Sequence, residues 1–454
     1  MQRVILFWFR RDLRLHDNAG LYHALQSGFP VVPVFIFDAA ILSQLEDKDD
    51  RRVSFIYQAL QKLQAQLTVI GSTLDVRYGK PDAILQQLLQ SYEVQAVYTN
   101  RDYEPYATKR DESILHLLQS KGIALHTFKD HVLFEKNEVV KNDGTGYLMY
   151  SPYAKKWRRL LNEEHMAQFS SEKLLQAFYQ QLPLPMPSLE EMGYRANKDI
   201  PAIRKVDQTI IQHYHATRDI PSVLGTTRMG VHLRFGTVSI RHLLAVALRL
   251  NDVFLGELIW REFFMQILWH QPRLENEACK REYDLINWRN NEEEFQRWCN
   301  GETGCAIVDA GMRELNATGF MHNRVRMIVG SYLVKDLLID WRWGEAYFAR
   351  KLLDFELASN NGNWQWVAGC GCDAAPYFRV FNPETQAKKF DPNGIYIRKW
   401  VPEYDTFHYA KPIVDHAFAK ERCIKAYTTA LVRKQMPSSL LLPDFFFTTD
   451  PAFG

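Results

Sequence analysis

Short apolar runs alternate with amphipathic stretches along the first third of the chain. The amphipathic stretches at 53–67, 81–92 and 109–122 repeat apolar residues at the i, i+3, i+4 spacing of a helix. The apolar runs have the length of strands, and they are VILFWF near the N-terminus followed by 31–37, 73–78, 97–99 and 124–128. Because strand and helix alternate, we expect a Rossmann-like parallel sheet covered by helices, with ligand sites at the carboxyl ends of its strands.

The rest of the chain has the helical period almost throughout, and strand patterns are nearly absent. Apolar residues recur at helical spacing in five stretches, which are 239–251, 252–270, 305–319, 323–341 and 344–355. We therefore predict an α/β domain followed by a large all-α domain. The predicted parts are the α/β domain at 1–130, a connector at 131–200, the helical domain at 201–435 and a tail at 436–454.

The connector differs in composition from both domains. It contains a Gly/Asp turn at 142–146, an aromatic and basic piece at 150–159 and a Pro-rich piece at 182–193. This composition favours a linker that lies on a domain surface.

The segment Asp354–Pro383 has almost no helix or strand period. It combines an acidic pair, two adjacent Asn residues, two Trp residues two positions apart and several Gly and Ala residues. Long structureless runs are uncommon in compact domains, so the segment is either a functional loop or a buried irregular part of the core, and composition alone does not separate the two.

Composition is that of a soluble globular protein, with 46% hydrophobic and 24% charged residues and a net charge of +2. The apolar runs are too short to span a membrane, and the N-terminal run lacks a cleavage site, so we expect a cytoplasmic protein. Six scattered cysteines favour reduced thiols, and the spacing of Cys370 and Cys372 favours a packed turn over a metal site. The low net charge means that any DNA site must be a local patch.

Nine of the eleven tryptophans lie after residue 259. They are either core filler or flat surfaces for a planar cofactor, a flipped base or an electron path. No GxGxxG follows the first strand, so the sheet does not have the sequence of an NAD site.

Several polar residues of the helical part also suggest a site. The string GTTRMG at 225–230 combines glycines, hydroxyls and an Arg, which suits a pyrophosphate. Glu257 shares a helix face with Trp260 and Phe264. Asn323, Arg326 and Met327 share another face, with Arg324 turned away, and Asp354 is a candidate partner for Arg326. The pairing of Arg326 with Asp354 is inferred only from the opposite charges of the two side chains.

These strings resemble the DNA photolyase/cryptochrome family. The resemblance covers residues 1 to about 430. Its motifs are WFRRDLRLHDN, NRDYEPYATKRD, ELIWREFF, MHNRVRM, KDLLIDWRWGE, ASNNGNWQW and DAAPYFRVFNP. The family implies an α/β antenna domain, a connector and a helical domain that binds FAD. In its repair members, light-excited reduced flavin passes an electron to a pyrimidine dimer, which splits and returns the electron.

The resemblance also implies roles for individual residues. Gly230 stands where Ser is common, Glu356 replaces the usual Asp, and Phe254 stands where some relatives have Trp. Asn360 matches the residue that faces the flavin N5. The full set that matches the cofactor-binding positions is Tyr214, Thr226, Thr227, Arg228, Met229, Gly230, Phe254, Arg326, Asp354, Glu356 and Asn360.

Two further groups match functional positions of the family. Trp364, Trp341 and Trp288 match the tryptophan chain that carries electrons from the surface to the flavin. Trp260 and Trp366 match the two aromatic residues that flank the flipped dimer, and the Gly and Ala residues around Trp366 are expected to leave room for FAD and DNA. The other positions that match contacts to the lesion or to DNA are Glu257, Asn323, Met327, Arg218, Arg324, Arg379 and Gln386.

The subfamily and the partners follow from the same positions. Asn323 and Met327 replace the two histidines of (6-4) photolyases, and Met327 and Trp366 differ from DASH-type cryptochromes, so the chain resembles class I cyclobutane pyrimidine dimer photolyases. The alternative is a blue-light photoreceptor without repair activity. Tyr106 and Ala107 disfavour a folate antenna and leave a deazaflavin, a flavin or an empty site. We expect a monomer that acts on damaged single- or double-stranded DNA, with no metal and no membrane.

Overall fold

The computed structural model describes residues 2–203 and 206–433. The chain begins with a five-stranded parallel sheet of spatial order β3-β2-β1-β4-β5. The strands are β1 (Arg3–Phe9), β2 (Val31–Asp38), β3 (Asp75–Gly79), β4 (Glu93–Asn100) and β5 (Ala124–Phe128). The strand order confirms the Rossmann-like α/β prediction. The chain adds β2 and β3 on one side of β1 and then β4 and β5 on its other side, so the order reverses between β1 and β4.

Helices cover both faces of the sheet, and β1 and β2 are almost completely buried. All eight residues of β2 are buried, as a parallel sheet covered on two sides requires. Asn18 and Asp50 cap α1 and α3, and a proline begins α4 and α5. The helices are α1 (Ala19–Leu25), α2 (Ala39–Leu42), α3 (Arg51–Val69), α4 (Pro81–Ser91) and α5 (Pro105–Ser120).

The connector is more regular than its composition predicts. It contains the helices α6 (Tyr150–Leu160) and α7 (Glu163–Met166). Trp157 of α6 is fully buried and donates a hydrogen bond of 2.6 Å from its indole Nε1 to Glu262 Oε2. The prediction of a surface linker is therefore wrong for this piece, since its aromatic residues pack into the helical domain.

The remaining described residues form helices joined by turns and loops, which confirms the all-α prediction. The helices from 206 to 331 are α8 (Gln208–Gln212), α9 (Tyr214–Thr217), α10 (Gly230–Arg234), α11 (Ile240–Leu250), α12 (Asp252–His270), α13 (Glu292–Asn300), α14 (Ala306–Thr318) and α15 (Asn323–Ser331). Those that follow are α16 (Trp341–Lys351), α17 (Leu357–Ala368), α18 (Pro383–Phe390), α19 (Ile395–Trp400) and α20 (His416–Arg433). The predicted tail at 436–454 lies outside the described residues.

The predicted helix at 323–341 is interrupted. α15 ends at Ser331, a π-helical turn follows at Tyr332–Asp336, and Asp340 caps the separate helix α16. All five residues of the π turn are buried. Apolar residues continue through the π turn because the turn is buried like the helix before it. The hydrophobic pattern therefore does not show where α15 ends.

The segment Asp354–Pro383 contains the twelve-residue helix α17, so the expectation of an irregular segment is wrong there. Glu356 caps its start, accepting from the Ser359 amide N at 3.3 Å, and Gly369 ends it with a φ of +82°. The helix has no polar face because neighbouring helices pack on several of its sides. A Cβ at Gly362 would lie 2.2 Å from the Phe264 ring. This glycine admits a neighbouring side chain and leaves no room for a ligand.

A group of buried charges joins the two domains. Arg14, Asp17 and Asp130 belong to the α/β domain, and Arg241 belongs to α11; we call these four residues the interdomain cluster. Arg241 donates to Asp17 Oδ1 at 2.8 Å and to Asp130 Oδ1 at 2.7 Å, and Arg14 donates to Asp130 Oδ2 at 2.7 Å. Each of the four side chains is at most 6% exposed.

None of the helices in the described part of the chain combines the length and the apolar character that crossing a bilayer requires.

Candidate functional site

The crevice at the carboxyl ends of β1 and β4 is occupied by ion pairs. Arg10 reaches Asp111 at 2.5 Å, and Arg11 reaches Asp102 at 2.9 Å. Arg11 also lies 3.7 Å from Glu356, which brings the crevice into contact with the start of α17. The sequence motif WFRRDLRLHDN therefore fills this crevice with arginines that pair within the α/β domain, and Arg11 also approaches the helical domain at Glu356.

The predicted antenna position is also tied to the sheet. The Tyr106 hydroxyl donates to Asp38 Oδ2 at 2.7 Å, and the guanidinium of Arg110 lies over the Tyr106 ring. Ala107 is buried. The choice among antenna pigments stays a prediction.

The helical domain has a cavity at the face of α17 that carries Asn360 and Trp364. These residues are four positions apart and therefore share a helix face. Arg326 from α15 and Asp354 from the preceding turn complete the polar part of its wall. The cavity has a volume of about 90 Å³, and its lining is Asn323, Arg326, Met327, Gly330, Phe348, Leu352, Asp354, Phe355, Glu356, Ser359, Asn360, Asn363, Trp364 and Val367. We call it the flavin-side cavity.

The predicted pairing of Arg326 with Asp354 is present. Arg326 Nη2 lies 3.1 Å from Asp354 Oδ1 and 3.0 Å from Oδ2, and Arg326 Nε donates to the Met321 carbonyl at 2.7 Å. The two side chains keep 25% and 19% exposure. Arg326 thus fixes the orientation of a carboxylate that still borders open space.

Asn360 is oriented by a residue of α16. Its Nδ2 donates to Glu345 Oε1 at 2.9 Å and to the Glu345 carbonyl at 3.1 Å. Burial raises the pKa of Glu345, and the Asn360 bond opposes this rise. Glu345 is a positioning residue that the sequence analysis did not identify.

A larger cavity of about 560 Å³ adjoins the same carboxylate, since Asp354 lines both cavities. Arg228 lines this second space with a φ of +52°, and its guanidinium lies 4.3 Å from the centre of the Phe320 ring. A Cβ at Gly230 would lie 2.7 Å from Asp354 Oδ2, so Gly230 lets the segment approach the carboxylate. A serine at this position would have to displace Asp354.

The other predicted cofactor residues lie on the neighbouring elements. The rings of Tyr214 and Phe254 meet edge to face at 5.1 Å. Thr227 and Met229 are buried, and Thr226 lies beside them in the chain. Glu356 lines the flavin-side cavity while it caps α17, so its longer side chain serves the helix as well as the cavity.

These residues fit FAD by their chemistry. Arg326 and Arg228 supply charged hydrogen-bond donors, and Asp354 supplies an acceptor at the junction of the two cavities. Both N–H groups of Asn360 Nδ2 are used by Glu345, which leaves the Asn360 amide oxygen as a second acceptor. The larger volume lies in the range of pockets that hold organic cofactors. Aromatic and aliphatic side chains form the remaining wall.

The three predicted relay tryptophans differ in burial. Trp364 and Trp341 are 4% and 2% exposed, and Trp288 is half-buried. Trp364 contacts Phe348 at 5.0 Å and the fully buried Trp298 at 6.2 Å between ring centres. The sequence analysis passed over Trp298 because it matches no motif, although it is one of the nine clustered tryptophans.

The residues predicted around the lesion are divided between two spaces. Trp260 and Trp366 line a small cavity of about 20 Å³ together with Cys372 and Asp373, whereas Asn323 and Met327 line the flavin-side cavity. We call the small space the Trp260 cavity. This volume is smaller than a pyrimidine dimer, and the contacts predicted between these residues and a lesion stay predictions.

Tyr150 from the connector covers one face of Trp260. The two rings stack at 3.7 Å with an angle of 5° between their planes. The Tyr150 hydroxyl donates to the Gly256 carbonyl at 2.9 Å, and its amide N donates to Asp373 Oδ2 at 2.9 Å. Tyr150 holds Trp260 in place, and sequence analysis missed it because it was assigned to a surface linker.

The charged residues near this region are paired. Arg218 donates to Glu257 Oε1 at 2.6 Å. Burial raises the pKa of Glu257, and the charge of Arg218 opposes that rise. Arg324 pairs with Asp219 at 2.8 Å and lies 3.6 Å from Met327 Sδ, so the prediction that it turns away from Met327 is wrong. One helical turn separates the two residues.

Arg379 and Gln386 lie outside the lining of these cavities. Arg379 is near the Phe381 ring, and Gln386 is on α18. Their predicted contacts with DNA stay predictions.

The expectation of six reduced cysteines is wrong. Cys279 and Cys372 form a disulfide between residues 93 positions apart, and the other four cysteines are free thiols. Cys372 also lines the Trp260 cavity. The pair connects the turn after α12 to the turn after α17.

Comparison with known proteins identifies the family of this chain. The family models described as "DNA photolyase" and "FAD binding domain of DNA photolyase" match residues 5–172 and 254–408. The deoxyribodipyrimidine photo-lyase of Alkalihalophilus pseudofirmus is 36% identical over 87% of this chain and 86% of its own length. The chain belongs to the DNA photolyase/cryptochrome family.

Two solved structures show the same fold. A bacterial class III photolyase from Agrobacterium tumefaciens has a TM-score of 0.83 and 31% identity, covering 95% of this chain and 98% of its own. An archaeal photolyase from Sulfolobus tokodaii, described with two FAD molecules, has a TM-score of 0.77 and 33% identity, covering 94% of this chain and 100% of its own.

Proposed function

We propose that this protein is a light-driven DNA repair enzyme, a deoxyribodipyrimidine photo-lyase that uses FAD to split cyclobutane pyrimidine dimers. The observation that carries the proposal is the convergence of Arg326, Asp354, Asn360 and Trp364 on one cavity. The name of the Alkalihalophilus relative supports it. The proposal includes its assignment to the class I cyclobutane pyrimidine dimer photolyases, and not to the (6-4) photolyases or the DASH-type cryptochromes.

Arg326, Asp354, Asn360 and the segment Thr226–Gly230 would hold the FAD. When it is bound, reduced and excited by light, FAD supplies the electron that splits the dimer. Arg326 keeps the Asp354 carboxylate in one orientation, and Glu345 does the same for Asn360. Fixed polar groups of this kind lower the cost of reorganisation during charge movement.

Apolar side chains around the same cavity keep water out. Phe348, Leu352 and Trp364 are each less than 5% exposed and line the flavin-side cavity. Excluding water strengthens the effect of each charge that remains in the cavity and prevents side reactions. In this proposal Trp364, Trp341 and Trp288 carry electrons inward from the half-buried end at Trp288.

Duplex DNA must present the dimer outside its stack, as photolyases and other enzymes that act on single bases require. Trp260 and Trp366 supply the aromatic surfaces for the extruded dimer, with Glu257, Asn323 and Met327 as its polar and thioether contacts. The Trp260 cavity must widen for this. Arg218, Arg324, Arg379 and Gln386 would contact the DNA backbone and give a salt-dependent affinity without sequence preference.

The remaining assignments belong to the same proposal. The protein acts on damaged single- or double-stranded DNA as a monomer in the cytoplasm. The protein consists of an antenna domain at 1–130, a connector at 131–200, a catalytic domain at 201–435 and a tail at 436–454. The antenna domain either holds a second pigment, for which a deazaflavin or a flavin fits better than a folate, or has an empty pigment site.

The test is repair of an oligonucleotide that carries one cyclobutane thymine dimer. The FAD-loaded, reduced protein is illuminated with blue light, and the remaining dimer is measured by chromatography. We expect loss of the dimer in the light and none in the dark. An unchanged amount of dimer after illumination would favour the photoreceptor alternative.

A second experiment tests the tryptophan relay. Trp341→Phe should slow photoreduction of oxidised FAD and leave repair by already reduced enzyme near the wild-type rate. Trp343→Phe is the matched control, since its ring packs on Phe295 and it has no relay position. Loss of both activities in Trp341→Phe, or equal slowing in the control, would contradict the assignment.

A further inference from the structure

A short turn at 371–373 forms one side of the Trp260 cavity, and all three of its residues line the cavity. The rest of the wall comes from α12, from α17 and from Leu274. The two helices pack closely, since the Phe264 ring of α12 occupies the place of a side chain at Gly362 of α17. The turn and Leu274 are therefore the parts of the wall that lie outside the α-helices.

Three attachments hold this turn to other parts of the chain. The Gly371 amide N donates to the Gln365 carbonyl at 3.0 Å, at the end of α17. Cys372 forms the disulfide with Cys279, and Asp373 Oδ2 accepts from the Tyr150 amide N at 2.9 Å. The disulfide is the one covalent attachment among the three.

Cys279 is the fixed member of the disulfide. Its amide N donates to Gln365 Oε1 at 2.9 Å, and its carbonyl accepts from Arg273 Nη2 at 3.1 Å. Gln365 is itself 1% exposed and donates to the Leu274 carbonyl at 3.1 Å. Because these bonds do not involve the disulfide, breaking it leaves Cys279 in place and releases Cys372.

Release of Cys372 affects two sides of the cavity. Gly371 precedes the cysteine, and glycine accepts large changes in backbone dihedral angles, so the turn can swing away from α12. Asp373 moves with the turn and gives up its hydrogen bond to the Tyr150 amide. Tyr150 carries the ring that stacks on Trp260, so this face of the tryptophan loosens as well.

The disulfide is placed for exchange with an external thiol. Cys279 and Cys372 are both partly exposed, whereas three of the four free cysteines are buried. Burial raises the pKa of the Cys370 thiol to about 12, so this neighbour stays protonated at neutral pH and does not compete for Cys372. Disulfides of cytoplasmic proteins are usually transient and catalytic or redox-sensing, and a cytoplasmic location is part of the proposed function.

We propose that the Cys279–Cys372 pair is a redox switch that controls the access of a lesion to the Trp260 cavity. The disulfide holds the turn at 371–373 against the cavity, and reduction lets the cavity widen. This inference rests on the proposed function, because the extruded dimer is the ligand that requires the wider cavity.

The reductant is an external dithiol. One of its thiolates attacks a sulfur of the pair and forms a mixed disulfide, and the other cysteine leaves as a thiolate. The second thiol of the reductant then displaces the first cysteine, and the reductant becomes a cyclic disulfide. Two electrons and two protons have passed from the dithiol to Cys279 and Cys372.

The test compares two forms of the FAD-loaded full-length protein in the dark, where no repair takes place. One form is treated with oxidised glutathione and the other with dithiothreitol, and each reagent is removed without air. Native labelling with iodoacetamide, followed by mass spectrometry of peptides, should modify Cys279 and Cys372 in the reduced form alone. Labelling of both cysteines in the oxidised form, or of neither in the reduced form, would overturn the switch.

Hydrogen exchange measures the movement without DNA. Reduction should speed exchange of the Tyr150 amide, which loses its bond to Asp373. The Leu21 amide, which donates to Asn18 in the α/β domain, is the control and should not change. Equal exchange of the Tyr150 amide in the two forms would contradict the release of the turn.

Binding to an oligonucleotide with one cyclobutane thymine dimer is measured by fluorescence anisotropy. A minor conformer is typically populated at about 0.1–10%, so reduction should tighten binding of the dimer by at least about 10-fold if it makes the open form dominant. Affinity for the undamaged oligonucleotide should stay within about 2-fold, because the charge that faces the DNA backbone is the same in both forms.

Two variants locate the effect. Cys279→Ser breaks the pair without changing a residue that lines the cavity, and it should bind the dimer like the reduced wild type in either buffer. Cys305→Ser is the matched control, since Cys305 is a partly exposed free thiol outside this cavity, and it should keep the wild-type response to dithiothreitol.

Flavin absorbance and the melting temperature report whether each variant is folded. If Cys279→Ser does not fold, the two forms of the wild type decide the outcome alone. Selective binding of the dimer with equal affinity in both forms would overturn the switch and leave the proposed function standing. Absence of selective binding in both forms would contradict the proposed function and the switch together.

Discussion

The interdomain cluster and the Arg326–Asp354 pair use the same two side-chain types for different purposes. In the cluster, Asp130 receives bonds from two arginines and is almost completely buried. Asp354 is paired with one arginine, keeps 19% exposure and borders two cavities. The comparison shows that an arginine and a carboxylate indicate a functional site only when open space lies beside them.

Electrostatics of the cluster agrees with a structural role. Burial alone would raise the pKa of Asp130, but the guanidinium groups of Arg14 and Arg241 lower it well below the ordinary value. A carboxyl group whose folded pKa is lowered contributes stability above its unfolded pKa of about 4 and loses that contribution as pH falls. The cluster should therefore weaken on acidification below that value.

The largest effect is expected from Arg241→Ala, which removes one partner from two buried carboxylates. The free energy of unfolding should fall by about 3–5 kcal/mol, because Asp17 and Asp130 are left as incompletely paired buried charges. The measurement is the denaturation midpoint of the flavin-free protein.

Arg158→Ala is the matched control, since its pair with Asp252 is exposed on both sides at 39% and 78%. We expect a change below about 1 kcal/mol there. Similar denaturation midpoints for the two variants would contradict the claim that the buried ion pairs contribute more to stability than the exposed pair.

An intermediate effect is expected from Gly344→Ala on the helix that packs against α17. A Cβ at Gly344 would lie 2.2 Å from the Trp364 ring and 2.6 Å from Leu333. Overpacking of this kind costs about 1–3 kcal/mol. Trp364 should move, and its fluorescence and the rate of flavin photoreduction should both change.

Gly256→Ala on α12 is expected to stabilise the protein, in contrast to Gly344→Ala. The nearest atom to its added Cβ is the Tyr150 hydroxyl at 3.5 Å, an ordinary contact. Alanine should stabilise α12 by roughly 0.5–1 kcal/mol through helix propensity. A stabilised Gly344→Ala would show that the packing around Trp364 is looser than described.

The smallest effect at neutral pH concerns the start of α15, which carries Arg326. His322 caps this helix by accepting the Arg324 amide N on Nδ1 at 3.2 Å. Burial lowers the pKa of His322 to about 4, whereas an unfolded histidine takes up its proton near pH 6.5. The unfolded state therefore binds more protons between these values, and stability should fall as pH decreases from about 6.5 to 4.

His322→Asn retains a capping acceptor and does not titrate. We expect a flatter dependence of the denaturation midpoint on pH across that window. His408→Asn, at an exposed position, is the control. An unchanged pH dependence in His322→Asn would rule out this histidine as a source of acid sensitivity.

The sheet and most helices could be predicted because their apolar periods are local. The Arg326–Asp354 pair could be predicted from chemistry and from the family motif together. α17 could not, since packing on several sides removes the amphipathic pattern, although Glu356 and Gly369 do mark its ends. These two capping residues could therefore have been used to predict the helix.

Other features depend on contacts between distant parts of the chain. The Cys279–Cys372 disulfide joins residues 93 positions apart, and no spacing rule connects them. Tyr150 reaches Trp260 from the connector, and Trp298 reaches Trp364 from α13. These neighbours become visible only when the helices are assembled.

The most direct test of the contrast between the two kinds of ion pair is the FAD affinity of Asp354→Asn. The flavin-free protein is titrated with FAD, and binding is followed by flavin fluorescence. We predict a loss of about 10–100-fold in affinity, the worth of one charge-assisted hydrogen bond, with the denaturation midpoint of the flavin-free protein nearly unchanged. Wild-type affinity in this variant would contradict the assignment of the Arg326–Asp354 pair to the cofactor site.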